Sequence, residues 1–190
     1  MMDRALRLWF LVLYAFGIVG FLSNVWRIRR GRPAFEQQIG PLPEMGALVA
    51  WFLPPIILLS GIGRLAIEQP ILRVLGVALS FYSQIMVLWT VRTLGRHLIP
   101  GLAVFRDHVL VTSGPFQWVR HPLYSGALAL WLGAALGTLN WLLLALWPVF
   151  VAAIIQELPK EERMLRDKFG AVYEAYEART GRLVPKLRRS

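Results

Sequence analysis

The chain has 190 residues, of which 56% are hydrophobic and 17% charged, with 8 Trp and no cysteine. A soluble domain of this length is usually less apolar and richer in charge. The missing cysteine excludes disulfides, thiolate nucleophiles and cysteine-bound zinc.

Charge is absent from four long runs: Trp9 to Trp26, Met45 to Gly63, Val74 to Val91 and Pro122 to Gln156. Runs of about 18 apolar residues or more read as membrane spans. The first run is long, and Asn24, Trp26 and Arg27 make a poor small-residue cleavage site, so it reads as a span and not as a removed signal peptide. Gly31 to Pro43 is a loop rich in turn formers. The second span carries Pro54-Pro55, which should kink it and free a backbone carbonyl. Ser80, Tyr82, Ser83 and Gln84 in the third span read as hydrogen-bonding groups within the bundle.

Arg92 to Arg120 mixes polar and apolar residues. Within it His108-Val109-Leu110-Val111-Thr112 reads as a short extended patch and Ser113-Gly114-Pro115 as a turn. The run from Pro122 to Gln156 is 35 residues long. As one helix it would extend about 52 Å, against roughly 30 Å of hydrocarbon. Gly137, Thr138, Leu139 and Asn140 at its middle look like a turn, so two spans are expected as a tight hairpin. In the tail, Pro159 suits a first helical position, with Glu161 and Glu162 in the first turn. Leu165, Phe169, Val172, Tyr173 and Tyr176 then follow on one helical face, up to about Thr180-Gly181.

The expected architecture is an all-α membrane protein forming one domain over residues 1–190. Its five transmembrane helices lie near 8–26, 45–63, 74–91, 122–138 and 140–157, and a cytosolic amphipathic C-terminal helix follows. With the N-terminus outside, the inside segments 27–43, 92–122 and 158–190 hold 17 of the 21 Lys and Arg residues. The positive-inside rule favours that orientation. It also accounts for the net charge of +10 without nucleic acid, because the charges flank spans instead of lining one face.

The hairpin brings two distant polar groups to one membrane face, Arg120 and His121 at one mouth and Glu157, Glu161 and Glu162 at the other. Arg can bind a carboxylate through a forked pair of hydrogen bonds. Glu can bind an ammonium, and Phe116, Trp118 and Tyr124 can hold a flat ring or face a cation. S-adenosylmethionine carries a carboxylate, an ammonium, an adenine and a sulfonium, and fits such a set. The plain alternative is that Arg120 is a positive-inside anchor and Trp118 an interfacial one. A metal is not expected: His97, His108 and His121 share no ligand spacing, and no HExxH occurs.

GPFQWVRHPLYSG (114–126) together with KEERMLRDKFGAVYEAYEARTGRLVP (160–185) resembles the integral membrane methyltransferases of the isoprenylcysteine carboxyl methyltransferase and phospholipid methyltransferase group. The resemblance covers roughly residues 92–186, which it makes the half that binds the methyl donor. It implies S-adenosyl-L-methionine as that donor and a lipophilic acceptor drawn from the bilayer. The implied donor-site residues are His108, Val109, Leu110 and Val111; Phe116, in place of the usual Tyr; His121, Pro122, Leu123 and Tyr124; and Glu161, with Arg120 and Glu162 adjacent. Glu157 stands where isoprenylcysteine enzymes carry an Arg for the substrate carboxylate. Leu98 to Gly101 lacks the Gln that they carry ahead of the His element. A Glu facing a carboxylate is repulsive, so an amine-bearing lipid or another amphipathic acceptor suits Glu157 better than an isoprenylcysteine carboxylate, and both kinds of acceptor stay open. Arg120 and Glu157 are the expected catalytic pair, with Glu157 or His121 taking the proton of an ammonium acceptor. The compact chain suggests a prokaryotic cytoplasmic membrane. The rival readings are an NADPH-dependent membrane reductase of the sterol type, which shares an RHPxY stretch but ends in a KYG-type tail where this chain has Lys168-Phe169-Gly170, and a non-catalytic membrane scaffold.

Overall fold

The computed structural model describes residues 2–31, 35–38, 42–95, 103–105 and 109–186. Its helices are α1 (Met2–Gly31), α2 (Leu42–Ser60), α3 (Pro70–Leu94), α4 (Pro122–Gly137), α5 (Trp141–Phe169) and α6 (Ala171–Arg179). A 3-10 turn, Gly114–Gln117, precedes α4. Two short strands, β1 (Phe35–Gln38) and β2 (Ala103–Phe105), pair antiparallel and tie the loop after α1 to the segment after α3. That ribbon was not expected in an all-α chain. Its segments lie between apolar runs, and its pairing is non-local.

Among the described residues two helices, Pro70–Leu94 and Trp141–Phe169, are long and apolar enough to cross a membrane. Pro122–Gly137 is apolar but shorter. Leu8, Val12, Phe16, Phe81, Ile85 and Val149 all stand exposed. Large apolar side chains exposed along helix after helix suit a lipid surround.

Glycine sets the closest helix contact. A Cβ on Gly76 of α3 would come within 2.3 Å of the Gly137 nitrogen and 2.6 Å of the Gly133 carbonyl oxygen on α4. Only small residues let two backbones approach so far, which is how membrane helices gain dispersion contact without a hydrophobic drive. The core adds Phe10 and Tyr14 of α1, Ile57 and Leu58 of α2, Leu130 and Trp131 of α4, and Leu143, Phe150, Ile154 and Leu158 of α5. The Trp131 indole donates to the Leu143 carbonyl at 3.0 Å, and Trp147 donates to the Leu128 carbonyl at 3.0 Å. These two bonds satisfy the buried Trp131 indole and the half-buried Trp147 indole across the α4–α5 interface.

Thr138, Leu139 and Asn140 join α4 to α5. Leu139 takes φ 49°, and the Asn140 side chain caps α5 by accepting from the backbone N–H groups of Leu142 and Leu143, both at 3.1 Å. A side-chain oxygen placed there satisfies donors that the first helical turn leaves unpaired.

Two expectations for the tail are corrected. Pro159 does not begin a new helix; α5 runs through it to Phe169. Proline costs one backbone hydrogen bond, but the fully buried Leu158 and Glu162 anchor the helix on both sides of it. The break falls instead at Gly170, whose φ of 52° separates α5 from α6. Leu165 and Phe169 therefore belong to one helix and Val172, Tyr173 and Tyr176 to another, so they do not form a single helical face.

Candidate functional site

His121 is the residue before α4, and Pro122 takes the first helical position, where its missing N–H costs nothing. The preceding turn is held from the far end of the chain. The Arg120 N–H donates to the Gly181 carbonyl at 2.8 Å, the His121 N–H to Arg182 at 3.1 Å, and the Gly181 N–H to Trp118 at 3.1 Å. The Ser125 hydroxyl donates to Leu183 at 2.6 Å. The Tyr176 hydroxyl donates to Phe116 at 2.7 Å; burial pushes this hydroxyl up to about 12, so it stays a neutral donor. Residues 180–183 thus form a strap along residues 118–121.

Beneath the strap sits Glu162, with a side chain 0% exposed. Arg120 donates to its Oε1 from Nε at 2.9 Å, and Arg120 Nη2 lies 2.7 Å from the same oxygen. Arg182 donates from Nε to Oε1 at 3.1 Å and from Nη2 to Oε2 at 2.5 Å. His121 Nε2 lies 3.3 Å from Oε1, and Arg166 Nη2 3.8 Å from Oε2. Burial alone would push the Glu162 carboxyl up, but hydrogen bonds from His121, Arg182 and Arg120 outweigh it and hold the group well below the usual carboxylate range. A carboxylate so engaged orients other groups and keeps little capacity for a ligand.

Arg120 is committed as well. Its Nη1 donates to the carbonyls of Thr180 at 2.6 Å and Glu177 at 3.2 Å, and its side chain is 7% exposed. Glu177 takes a forked pair of bonds from Arg166 at 2.9 and 2.8 Å. These bonds pull its carboxyl below the ordinary range.

The more open groups precede Glu162 on α5. Glu161 is 30% exposed, with Oε2 3.7 Å from His121 Nδ1. Tyr124 stands beside it, with a ring centre 5.8 Å from that of His121. Glu157 Oε1 accepts from Lys160 Nζ at 2.9 Å. Glu157 Oε2 is buried and has no hydrogen-bond partner among the described residues. An unsatisfied buried carboxylate oxygen is costly, and a cation or an N–H group would relieve it.

The expected residues Arg120, His121, Tyr124, Glu161 and Glu162 therefore meet at one end of α4 and α5. Pro122 is buried there, Leu123 is half-buried, and Glu157 lies a turn away. Val109, Leu110, Val111 and the half-buried Phe116 lead into the turn. No hydrogen bond or ion pair among the described residues joins Val109, Leu110 or Val111 to the cluster. His108 lies outside the described residues. Sequence reasoning missed Arg166, Glu177, Thr180 and Arg182. Only Glu162 and Arg166 carried a local signal, their i,i+4 spacing. No cluster of metal-ligating side chains occurs among the described residues.

Among relatives, protein-S-isoprenylcysteine O-methyltransferase B of Arabidopsis thaliana is 31% identical over 113 residues, covering 58% of this chain and 57% of that protein. The solved structure of the eukaryotic intramembrane Ras methyltransferase ICMT (isoprenylcysteine carboxyl methyltransferase) superposes with a TM-score of 0.53 at 23% identity, covering 79% of this chain and 54% of that one. The chain thus spans little more than half the length of the relatives it matches, and the structural likeness speaks for the fold alone. The phospholipid methyltransferase family matches residues 71–172, a stretch that holds α3 from its second residue, the 3-10 turn, α4, α5 and every described residue expected at the site. The chain belongs to that family.

Proposed function

We propose that this protein transfers a methyl group from S-adenosyl-L-methionine to a lipophilic acceptor held in the bilayer. The carrying observation is the meeting of His121, Tyr124 and Glu161, around a buried ionic centre, at the end of two apolar helices. In this reading α1 to α5 cross the membrane, here a prokaryotic cytoplasmic membrane, with the N-terminus outside. The water-soluble donor enters from the cytosolic face and the acceptor from the lipid.

The residues fit such a donor. Glu161 is a partly exposed carboxylate for an ammonium, and Phe116 and Tyr124 are rings for adenine or sulfonium. His108 and the Val109–Val111 stretch belong to the same proposed cradle, with Pro122 and Leu123 as its floor. Arg120 and Glu162 act as positioning residues, because their polar atoms are already engaged by each other and by the strap. The bound donor supplies an electrophilic methyl carbon on sulfur. The chain's part is to align an acceptor against it, which converts a bimolecular step into an oriented one, and to keep water away from the nucleophile.

The unpartnered oxygen of Glu157 favours an amine-bearing lipid over an isoprenylcysteine carboxylate. It can accept the proton that an ammonium must lose before it attacks, whereas a carboxylate acceptor would be repelled. Glu157→Gln is expected to abolish turnover on an amine lipid, with methyl-donor affinity kept; undiminished turnover would remove Glu157 from this role.

The test of the whole reading is calorimetric binding of S-adenosylhomocysteine to the purified protein in detergent, with NADPH in parallel. Binding that is lost in His121→Ala and in Glu161→Ala, both folded, is the expected result. A folded wild-type protein that ignores S-adenosylhomocysteine would overturn the methyltransferase reading, and NADPH binding in its place would favour a reductase.

A further inference from the structure

We propose that Arg182, from the C-terminal strap, is the anion-binding residue of the site, meeting a carboxylate or phosphate on a bound ligand. The inference rests on the methyl-transfer reading above and adds to it a residue outside the motifs of the α4 turn and the α5 glutamates.

Three guanidinium groups surround Glu162, and they differ in what they have left to give or in where they stand. Arg120 is 7% exposed, and its bonds to Glu162, Glu177 and Thr180 engage Nε, Nη1 and Nη2. Arg166, 37% exposed, also spends a fork from Nε and Nη2, on Glu177; it differs from Arg182 in place, standing a turn beyond Glu162 with no bond to His121 among the described residues. Arg182 keeps 40% of its side chain exposed, and its bonds to Glu162 run from Nε and Nη2.

Its placement is also fixed. The Arg182 carbonyl accepts the His121 N–H at 3.1 Å. The Arg182 Nε and the His121 Nε2 converge on the same carboxylate oxygen of Glu162. His121 in turn faces Glu161 through Nδ1. Arg182 and Glu161, a cation and an anion that both retain exposed surface, therefore flank one buried imidazole. A ligand that pairs an anionic and a cationic group, as the head of an amino acid or a zwitterionic lipid does, meets both signs there. Because Glu162 already holds the guanidinium plane, little side-chain freedom remains to be lost on binding, and a planar fork suits a two-oxygen anion.

The anion has two possible sources, the carboxylate of the methyl donor or an acidic group on the acceptor lipid. The experiment separates them. Wild type, Arg182→Gln and Arg182→Lys are purified in detergent, with Arg163→Gln, an exposed α5 residue, as the control. Melting temperature is measured for each. Affinities are measured for S-adenosylhomocysteine and for methylthioadenosine, which lacks the amino-acid head. A donor-side role predicts roughly tenfold or greater loss of S-adenosylhomocysteine affinity in Arg182→Gln, partial recovery in Arg182→Lys, and unchanged methylthioadenosine binding. An acceptor-side role leaves both affinities unchanged and raises the KM for lipid at constant kcat. Equal loss of both nucleosides would make Arg182 a structural support of Glu162 and overturn the proposal, as would wild-type values throughout. If Arg182→Gln does not fold, Arg182→Lys carries the same comparison. Failure of the wild type to bind S-adenosylhomocysteine would instead strike the methyl-transfer reading beneath it.

Discussion

Each end of the helix bundle carries a carboxylate clasped by arginines, and the two clasps differ in their surroundings. At one end Asp3 of α1 bonds Arg64, in the connection between α2 and α3, and Arg73 of α3 at 2.5 Å. Arg73 also reaches the Gly137 carbonyl at 3.5 Å. This cluster staples four segments together: α1, the α2–α3 connection, α3 and the end of α4. At the other end Glu162 gathers Arg120, Arg182 and His121, and two further carboxylates, Glu157 and Glu161, stand beside it with surface to spare. A charge cluster becomes a candidate site when a buried ionic centre fixes groups that still have capacity for something else.

That contrast can be broken most sharply at Glu162. Glu162→Gln removes one partner of a buried ion pair, which costs about 3–5 kcal/mol, and thermal unfolding in detergent should show it as the largest loss of any single substitution here. The pH dependence supplies a second signature. The folded-state value of Glu162 lies below its unfolded one, so its contribution is complete above the unfolded value, near 4.3. It declines as the pH falls from there through the folded value. The stability gap between wild type and Glu162→Gln should therefore narrow below about pH 4.3; a gap that stays constant would mean that the charge is not what matters.

Asp3→Ala is expected to cost less, about 1–3 kcal/mol, by leaving the buried Arg73 without its partner, and to leave S-adenosylhomocysteine affinity untouched. Altered affinity would erase the distinction between the two ends. The smallest effect is expected at Lys160, whose pair with Glu157 is exposed. Lys160→Ala should change stability by less than about 0.5 kcal/mol, and a larger shift in the melting curve would show that the pair is structural.

The sequence exposed one face of the Glu162 clasp and hid the other. Arg120, His121, Glu161 and Glu162 were legible because one long uncharged run, folded back on itself, had to bring its two polar flanks to the same membrane face. Nothing local pointed to Arg182, whose place depends on backbone bonds between residues 118–121 and 181–182. The course of α5 through Pro159 was equally hidden, since burial of Leu158 and Glu162 overrides a local helix-breaking tendency. Gly170 could have been read as a helix end, but the helical spacing of the apolar residues on either side argued for continuity. The β1–β2 ribbon joins segments more than 60 residues apart, beyond any periodicity.

The strap has a consequence for the order in which the protein can be made. The Arg120 guanidinium finds one of its acceptors at Thr180, 60 residues further on, and the backbone donors of Arg120 and His121 find theirs at Gly181 and Arg182. During synthesis α4 and the apolar part of α5 emerge before those acceptors leave the ribosome. The turn ahead of α4 then waits, with its donors turned to water, until the residues after α6 have left the ribosome. Membrane insertion and completion of the site are in this way separate events, and the last part of the described chain decides the second.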